Sequence, residues 1–96
     1  MKKKVILFQG DSITDCGRAR DVNAPNTGLG NGYVFLAASN LLCARSGEGL
    51  SIYNRGISGN RIVDLYARWK SDCLNLNPDV ISILIGVNDT WHEFGS

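Results

Sequence analysis

Three short apolar runs divide the chain: Val5-Ile6-Leu7-Phe8, Leu50-Ser51-Ile52-Tyr53 and Val80-Ile81-Ser82-Ile83-Leu84-Ile85. A strand covered on both faces has no polar side to show, so near-continuous runs of this length predict buried β-strands over 4–9, 50–54 and 80–85. Between the first two, Val34, Ala37, Ala38, Leu41 and Leu42 recur at helical spacing and predict a helix over Tyr33–Ala44, stopped by Ser46-Gly47-Glu48-Gly49. Between the second and third, Ile62, Leu65, Tyr66, Trp69 and Cys73 fall on one face of a further helix, with Asn60 as its cap and Pro78 forbidding continuation. The connection from Thr14 to Gly32 holds Pro25 and the glycines 17, 28, 30 and 32, and reads as loop.

Strand, helix, strand, helix, strand in this rhythm implies right-handed parallel crossovers and an α/β fold. The expected spatial order is two-one-three, which leaves strand three at an open edge. An edge as apolar as Ile81-Ser82-Ile83-Leu84-Ile85 invites association, so further chain or a partner, including a second copy in a homo-oligomer, is expected to cover it. The 96 residues are read as part of one domain with no internal boundary.

Composition narrows the function classes. Apolar residues make up 44% of the chain, enough for a globular core. Ten basic and nine acidic residues leave a formal charge of +1, which argues against a nucleic-acid partner, since neutralising phosphates needs a net basic face. Lys2-Lys3-Lys4 is the one charge run and reads as a solvated lead-in to strand one. The apolar stretch behind it is too short for a secretory signal, no run approaches a membrane span, and a cytoplasmic location is expected. Cys16, Cys43 and Cys73 are odd in number and widely spaced, and read as small buried or half-buried thiols. No His/Cys/Asp group has metal-ligand spacing, and no metal or cofactor is expected. Gly28-Leu29-Gly30-Asn31-Gly32 precedes a helix but follows no strand and has no Lys-Ser/Thr ending, so it does not read as a phosphate cradle.

In a parallel sheet all three strands release their loops at the same carboxyl edge, where open α/β sheets bind ligands. Those loops are Gly10-Asp11-Ser12, Arg55-Gly56-Ile57-Ser58-Gly59 and Gly86-Val87-Asn88-Asp89. A serine hydroxyl, a glycine N–H and an asparagine amide brought together there supply a nucleophile and two hydrogen-bond donors, most of an acyl-transfer site. Each has a plainer reading on its own: Ser12 as a turn cap, Gly56 as a glycine needed only for its turn, Asn88 as an Asx-turn ending the strand.

Taken together, Gly10-Asp11-Ser12-Ile13-Thr14-Asp15, Asn54-Arg55-Gly56-Ile57-Ser58-Gly59-Asn60 and Gly86-Val87-Asn88-Asp89 resemble blocks one to three of the SGNH, or GDSL, hydrolases. The stretches around Asp15-Cys16-Gly17-Arg18 and Asn88-Asp89-Thr90-Trp91 resemble the intracellular acetyl xylan esterase branch. The resemblance implies a three-layer α/β/α sandwich with a flavodoxin-like parallel sheet, three of whose expected five strands are here. It also implies Ser12 as nucleophile, an oxyanion hole of Ser12 N–H, Gly56 N–H and the Asn88 side chain, and turn support from Gly10, Asp11 and Asp89.

The family's fourth block, an Asp-x-x-His pair, has no counterpart by this reading. Asp89-Thr90-Trp91-His92 fits the letters, but Asp89 belongs to the block-three turn and His92 follows Asn88 by four residues on the oxyanion side. A base must reach the serine oxygen while its other nitrogen meets a carboxylate. His92 therefore reads as a loop residue near the pocket mouth, and the base is expected from sequence beyond residue 96. The resemblance implies a small acyl ester, an acetylated sugar, as substrate. The alternative is a truncated hydrolase fold that binds a ligand without turnover.

Overall fold

The computed structural model describes residues 4–20 and 24–86. Its strands are β1 (Lys4–Gly10), β2 (Leu50–Asn54) and β3 (Val80–Leu84), and its helices α1 (Ser12–Asp15), α2 (Tyr33–Ala44), α3 (Ile62–Ala67) and α4 (Trp69–Asp72). Single 3-10 turns at Ser46–Glu48 and Leu74–Leu76 lead out of α2 and α4. The sheet is parallel in the order β2-β1-β3, with Ile6 opposite Ile52 and Val80, and Gly10 opposite Leu84. That is the predicted α/β arrangement and strand order.

Side-chain alternation along β1 divides the interior into two layers. Phe8 packs with Leu50, Ile52, Leu29, Val34 and Ala38, so α2 covers one face, and Phe8 meets the Tyr33 ring edge-to-face at 5.9 Å between centroids. On the other face the fully buried Gln9 donates to the Asp72 carbonyl at 2.6 Å and to Cys73 Sγ at 3.2 Å, which puts α4 behind the sheet.

Strand and α2 boundaries fall within a residue of expectation, but two connections differ. The predicted loop from Thr14 begins inside α1, because Asp11 accepts the N–H of Ile13 and starts a helical turn. The single helix expected after Asn60 is two helices broken at Arg68, whose backbone leaves the helical region at φ −106°, ψ 13°. Arg68 Nε donates to Asn60 Oδ1 at 2.7 Å, and the N-cap position falls to Arg61, whose N–H donates to the Asp64 carboxylate at 2.9 Å. The break also splits the predicted apolar face: Leu65 and Cys73 are buried, whereas Ile62 and Tyr66 are exposed.

The two sheet edges are treated differently. Asn26, held at φ +67°, acts as a one-residue strand along β2: its N–H donates to the Ile52 carbonyl at 2.8 Å, its Oδ1 accepts the Ile52 N–H at 2.8 Å, and its Nδ2 donates to the Leu50 carbonyl at 3.0 Å. On β3, Val80, Ile81, Ile83 and Leu84 are exposed on both faces.

Candidate active site

β1 ends at Gly10, where the backbone of β3 comes close. A Cβ at Gly10 would lie 2.1 Å from the Leu84 carbonyl oxygen and 2.4 Å from Thr14 Oγ1, so no larger residue fits. The chain then turns through Asp11, buried and accepting from Ile13 N–H at 3.1 Å, into the single turn of α1. Thr14 and Asp15 face inward, and Thr14 shares a 2.7 Å hydrogen bond with the Tyr33 hydroxyl. Ser12, the first residue of α1, is exposed. Buried polar anchors thus hold a short turn that presents the serine to solvent at the carboxyl edge of the sheet.

The loop after β2 closes onto that turn. Arg55 N–H donates to the Phe8 carbonyl at 2.9 Å, and Ile57 N–H to the Gly10 carbonyl at 3.0 Å. A Cβ at Gly56 would sit 2.6 Å from Asp15 N and 2.9 Å from Thr14 Cβ, so glycine is required by the close approach of the two loops. The N–H of Gly56, expected to face a ligand, instead donates to Asn54 Oδ1 at 2.9 Å. Asn54 is itself fixed, its Nδ2 donating to the Thr14 and Leu29 carbonyls at 2.7 and 2.8 Å. Gly59 differs in every respect: it is exposed, has φ +84°, leaves open space where a Cβ would be, and forms no hydrogen bond with another described residue.

β3 ends beside the serine loop, since Leu84 lies opposite Gly10. Gly86, just beyond the strand, has φ +130°. Asn88, Asp89 and His92 lie outside the described residues.

A model of the GDSL-like lipase/acylhydrolase family matches residues 8–96. The chain belongs to that family. It is 47% identical over 90 residues to an acetylxylan esterase of Geobacillus stearothermophilus, covering 93% of this chain and 41% of the relative. The crystal structure of that organism's acetylxylan esterase superposes with a TM-score of 0.88 at 44% identity, over 96% of this chain and 42% of the other. A protein of Parabacteroides merdae described as a GDSL-like lipase superposes at 0.90 with 58% identity, over 93% and 42% respectively. The chain therefore spans about two-fifths of the length of these relatives. Three solved forms of the Geobacillus esterase are catalytic mutants, in which a serine, an aspartate and a histidine are each replaced by alanine.

In this GDSL-family chain the charged group at the centre of the two loops is Asp15, which the block-one motif quotes without giving it a task. Its side chain is 2% exposed. One carboxylate oxygen accepts from Ser58 N–H at 2.9 Å, from the Ser58 hydroxyl at 3.1 Å and from the Arg20 guanidinium; the other accepts from Arg18 N–H at 3.3 Å. Burial works to raise its pKa, but the Arg20 and Ser58 hydrogen bonds outweigh it and hold the carboxyl below its ordinary 3.8. Arg18 Nε and Arg20 Nη1 both donate to the Gly56 carbonyl, at 2.6 and 3.3 Å. Burial and the neighbouring Arg20 cation push the Arg18 pKa down. Two arginines straddling Ala19 shortly after Asp15 were the available sequence signal, but nothing local says which carbonyl they bind.

The glycine-rich stretch 28–32 packs against α1. A Cβ at Gly30, where φ is +88°, would lie 2.6 Å from the Asp15 carbonyl oxygen, and Asn31 N–H donates to the Cys16 carbonyl at 2.8 Å. With α2 it lines an open pocket of about 360 Å³, bordered among others by Asn26, Leu29, Asn31, Phe35 and Leu42 and not by Ser12 or Gly56. Of the three thiols only Cys73 is buried; Cys16 and Cys43 are exposed, contrary to expectation, since Cys16 sits at the αL end of α1. Among the described residues no cluster of His, Cys, Asp and Glu could hold a metal ion, and no helix is long and apolar enough to cross a membrane.

Proposed function

We propose that this chain is the nucleophile-bearing part of a single-domain serine carboxyl-ester hydrolase that removes acetyl groups from a carbohydrate. The observation that carries the reading is the exposed Ser12 on a turn whose other polar side chains, Asp11, Thr14 and Asp15, are buried. The acetylxylan esterase relative supports the acetylated sugar as the substrate class.

Ser12 Oγ attacks the ester carbonyl carbon, its proton passes to a base, and a tetrahedral oxyanion forms. Collapse breaks the carbonyl-carbon bond to the sugar oxygen, which takes that proton and leaves as a hydroxyl, and the acyl-serine that remains is hydrolysed by water to acetate and free Ser12. The oxyanion would be met by Ser12 N–H, the Asn88 side chain and an amide of the loop after β2. Gly56 fills that last role by resemblance, but its N–H would first have to leave Asn54 or be shared with it. Gly59, without a hydrogen bond to another described residue and free of a Cβ, is the donor the geometry favours. The base and its orienting carboxylate are assigned to sequence beyond residue 96, in keeping with the aspartate and histidine whose replacement gives catalytic mutants of the Geobacillus esterase.

The test is Ser12→Ala in the full-length protein. Hydrolysis of a chromogenic acetyl ester should vanish with the fold intact, and a fluorophosphonate should label Ser12 alone. Undiminished turnover would refute the assignment.

A further inference from the structure

We propose that Asp15 is a positioning residue for ester hydrolysis, its carboxylate clamping the Ile57-Ser58-Gly59 turn against the helical turn that carries Ser12. The inference rests on Ser12 being the nucleophile and on the loop after β2 supplying an oxyanion donor.

Asp15 stands three residues beyond Ser12 in α1, so its carboxylate is rigidly tied to the serine. Helix-capping carboxylates serve their own element, as Asp11 does here. Asp15 instead directs its acceptors at other segments: Ser58 through both N–H and hydroxyl, and the Arg18–Arg20 stretch. Every hydrogen bond of Ser58 to a described residue goes to Asp15. The turn is closed by Asn60 N–H on the Ile57 carbonyl at 3.2 Å and joined to β1 by Ile57 N–H on the Gly10 carbonyl. Arg68 holds Asn60 on the far side of Gly59, and Ser58, immediately before Gly59, supplies the tether to the turn that carries Ser12.

Gly59 needs such a tether more than most residues would. At φ +84°, with no Cβ and no contact where one would be, its own backbone does little to fix the direction of its N–H. An oxyanion donor works only where it is held, and a misplacement of roughly 1 Å can cost about 10²-fold in rate. The charge is arranged to suit. A lone buried carboxylate close to a developing oxyanion would oppose it, but Arg20 neutralises Asp15 while also holding the Gly56 carbonyl.

The experiment uses the full-length protein with Asp15→Asn and Ser58→Ala, an acetyl ester and a fluorophosphonate probe. Asp15→Asn should lower kcat by about 10–10²-fold with KM little changed. The rate of fluorophosphonate labelling should fall in parallel, while its end point stays at one label per chain, on Ser12. Ser58→Ala removes the hydroxyl and keeps the N–H, so kcat should fall by a smaller factor in the same direction. Unchanged kcat per labelled site in either variant, or a rise in KM alone, would overturn the positioning role. If Asp15→Asn does not fold, Ser58→Ala decides, because Ser58 is exposed and its hydroxyl contributes little packing. An active Ser12→Ala variant labelled elsewhere would remove the nucleophile reading itself, and the clamp with it.

Discussion

Gln9 and Arg68 meet at 2.8 Å behind the sheet, the amide oxygen of one accepting from the guanidinium of the other. The same guanidinium donates to the Arg55 carbonyl at 2.8 Å, the Gly10 carbonyl at 3.2 Å and the Asp72 carboxylate at 3.1 Å. One side chain therefore joins the end of β1, the loop after β2 and α4. This explains the helix break at Arg68: charge-assisted hydrogen bonds to buried acceptors are worth about 1.5–3 kcal/mol each, more than an uninterrupted helical ladder would add at one residue.

Replacing Arg68 should therefore be costly at a distance from any chemistry. Arg68→Met leaves Gln9 Oε1 without this donor, and should lower the unfolding free energy by about 1–3 kcal/mol. Arg68→Lys should recover little, since an ammonium cannot reach several divergent acceptors as the planar fork does. Urea denaturation of the full-length variants checks both.

Asn88 is expected to act on the charged intermediate. Asn88→Ala should lower kcat more than it raises KM, by about 2.7–4 kcal/mol in transition-state stabilisation, the range for losing one oxyanion donor. Steady-state kinetics on an acetyl ester separate the two, and a change confined to KM would make Asn88 a binding or turn residue.

Asp15 predicts a pH dependence of stability. Its folded pKa lies below the ordinary 3.8, so the unfolded chain binds the proton more tightly. The stabilisation is complete at pH values well above 3.8 and declines as pH falls toward the depressed folded value. The stability gap between the native protein and Asp15→Asn should thus be widest near neutrality and narrow in acid. Paired urea titrations at neutral and acid pH measure it, and a gap that widened in acid would contradict the sign.

Residues 1–96 on their own should hydrolyse no ester and should associate. An unassisted serine hydroxyl is a weak nucleophile, and the exposed Val80, Ile81, Ile83 and Leu84 present an apolar edge to any neighbouring strand. The informative comparison is with and without His92→Ala. A monomeric 1–96 chain whose esterase activity disappeared with His92 would make Asp89 and His92 the triad pair after all.

The legible part of the site was its placement. Apolar runs marked the strands, and parallel crossovers then put the Ser12 loop, the Gly56 loop and the end of β3 at one edge. The partners within that edge were not legible. Gly56 looked like a free donor because a glycine between polar residues permits close approach, but the group that approaches is the backbone of α1. Asp15 looked like part of a motif, and the structure makes it the junction of three segments.

By itself the sequence determined the three strands, their order, the extent of α2 and the loops that share the carboxyl edge. These follow from short-range signals: runs of apolar residues, helical periodicity and local breakers. Tertiary structure alone decided the break at Arg68, the Asn26 cover on β2, the engagement of Gly56 with Asn54 and the clamp from Asp15 to Ser58. Three of these four depend on hydrogen bonds between residues 26 to 59 positions apart. The exception, Gly56 with Asn54, spans two residues and still depends on Thr14 and Leu29 holding the amide in place. A buried polar group must find a partner, but only the assembled fold determines which acceptor lies within reach.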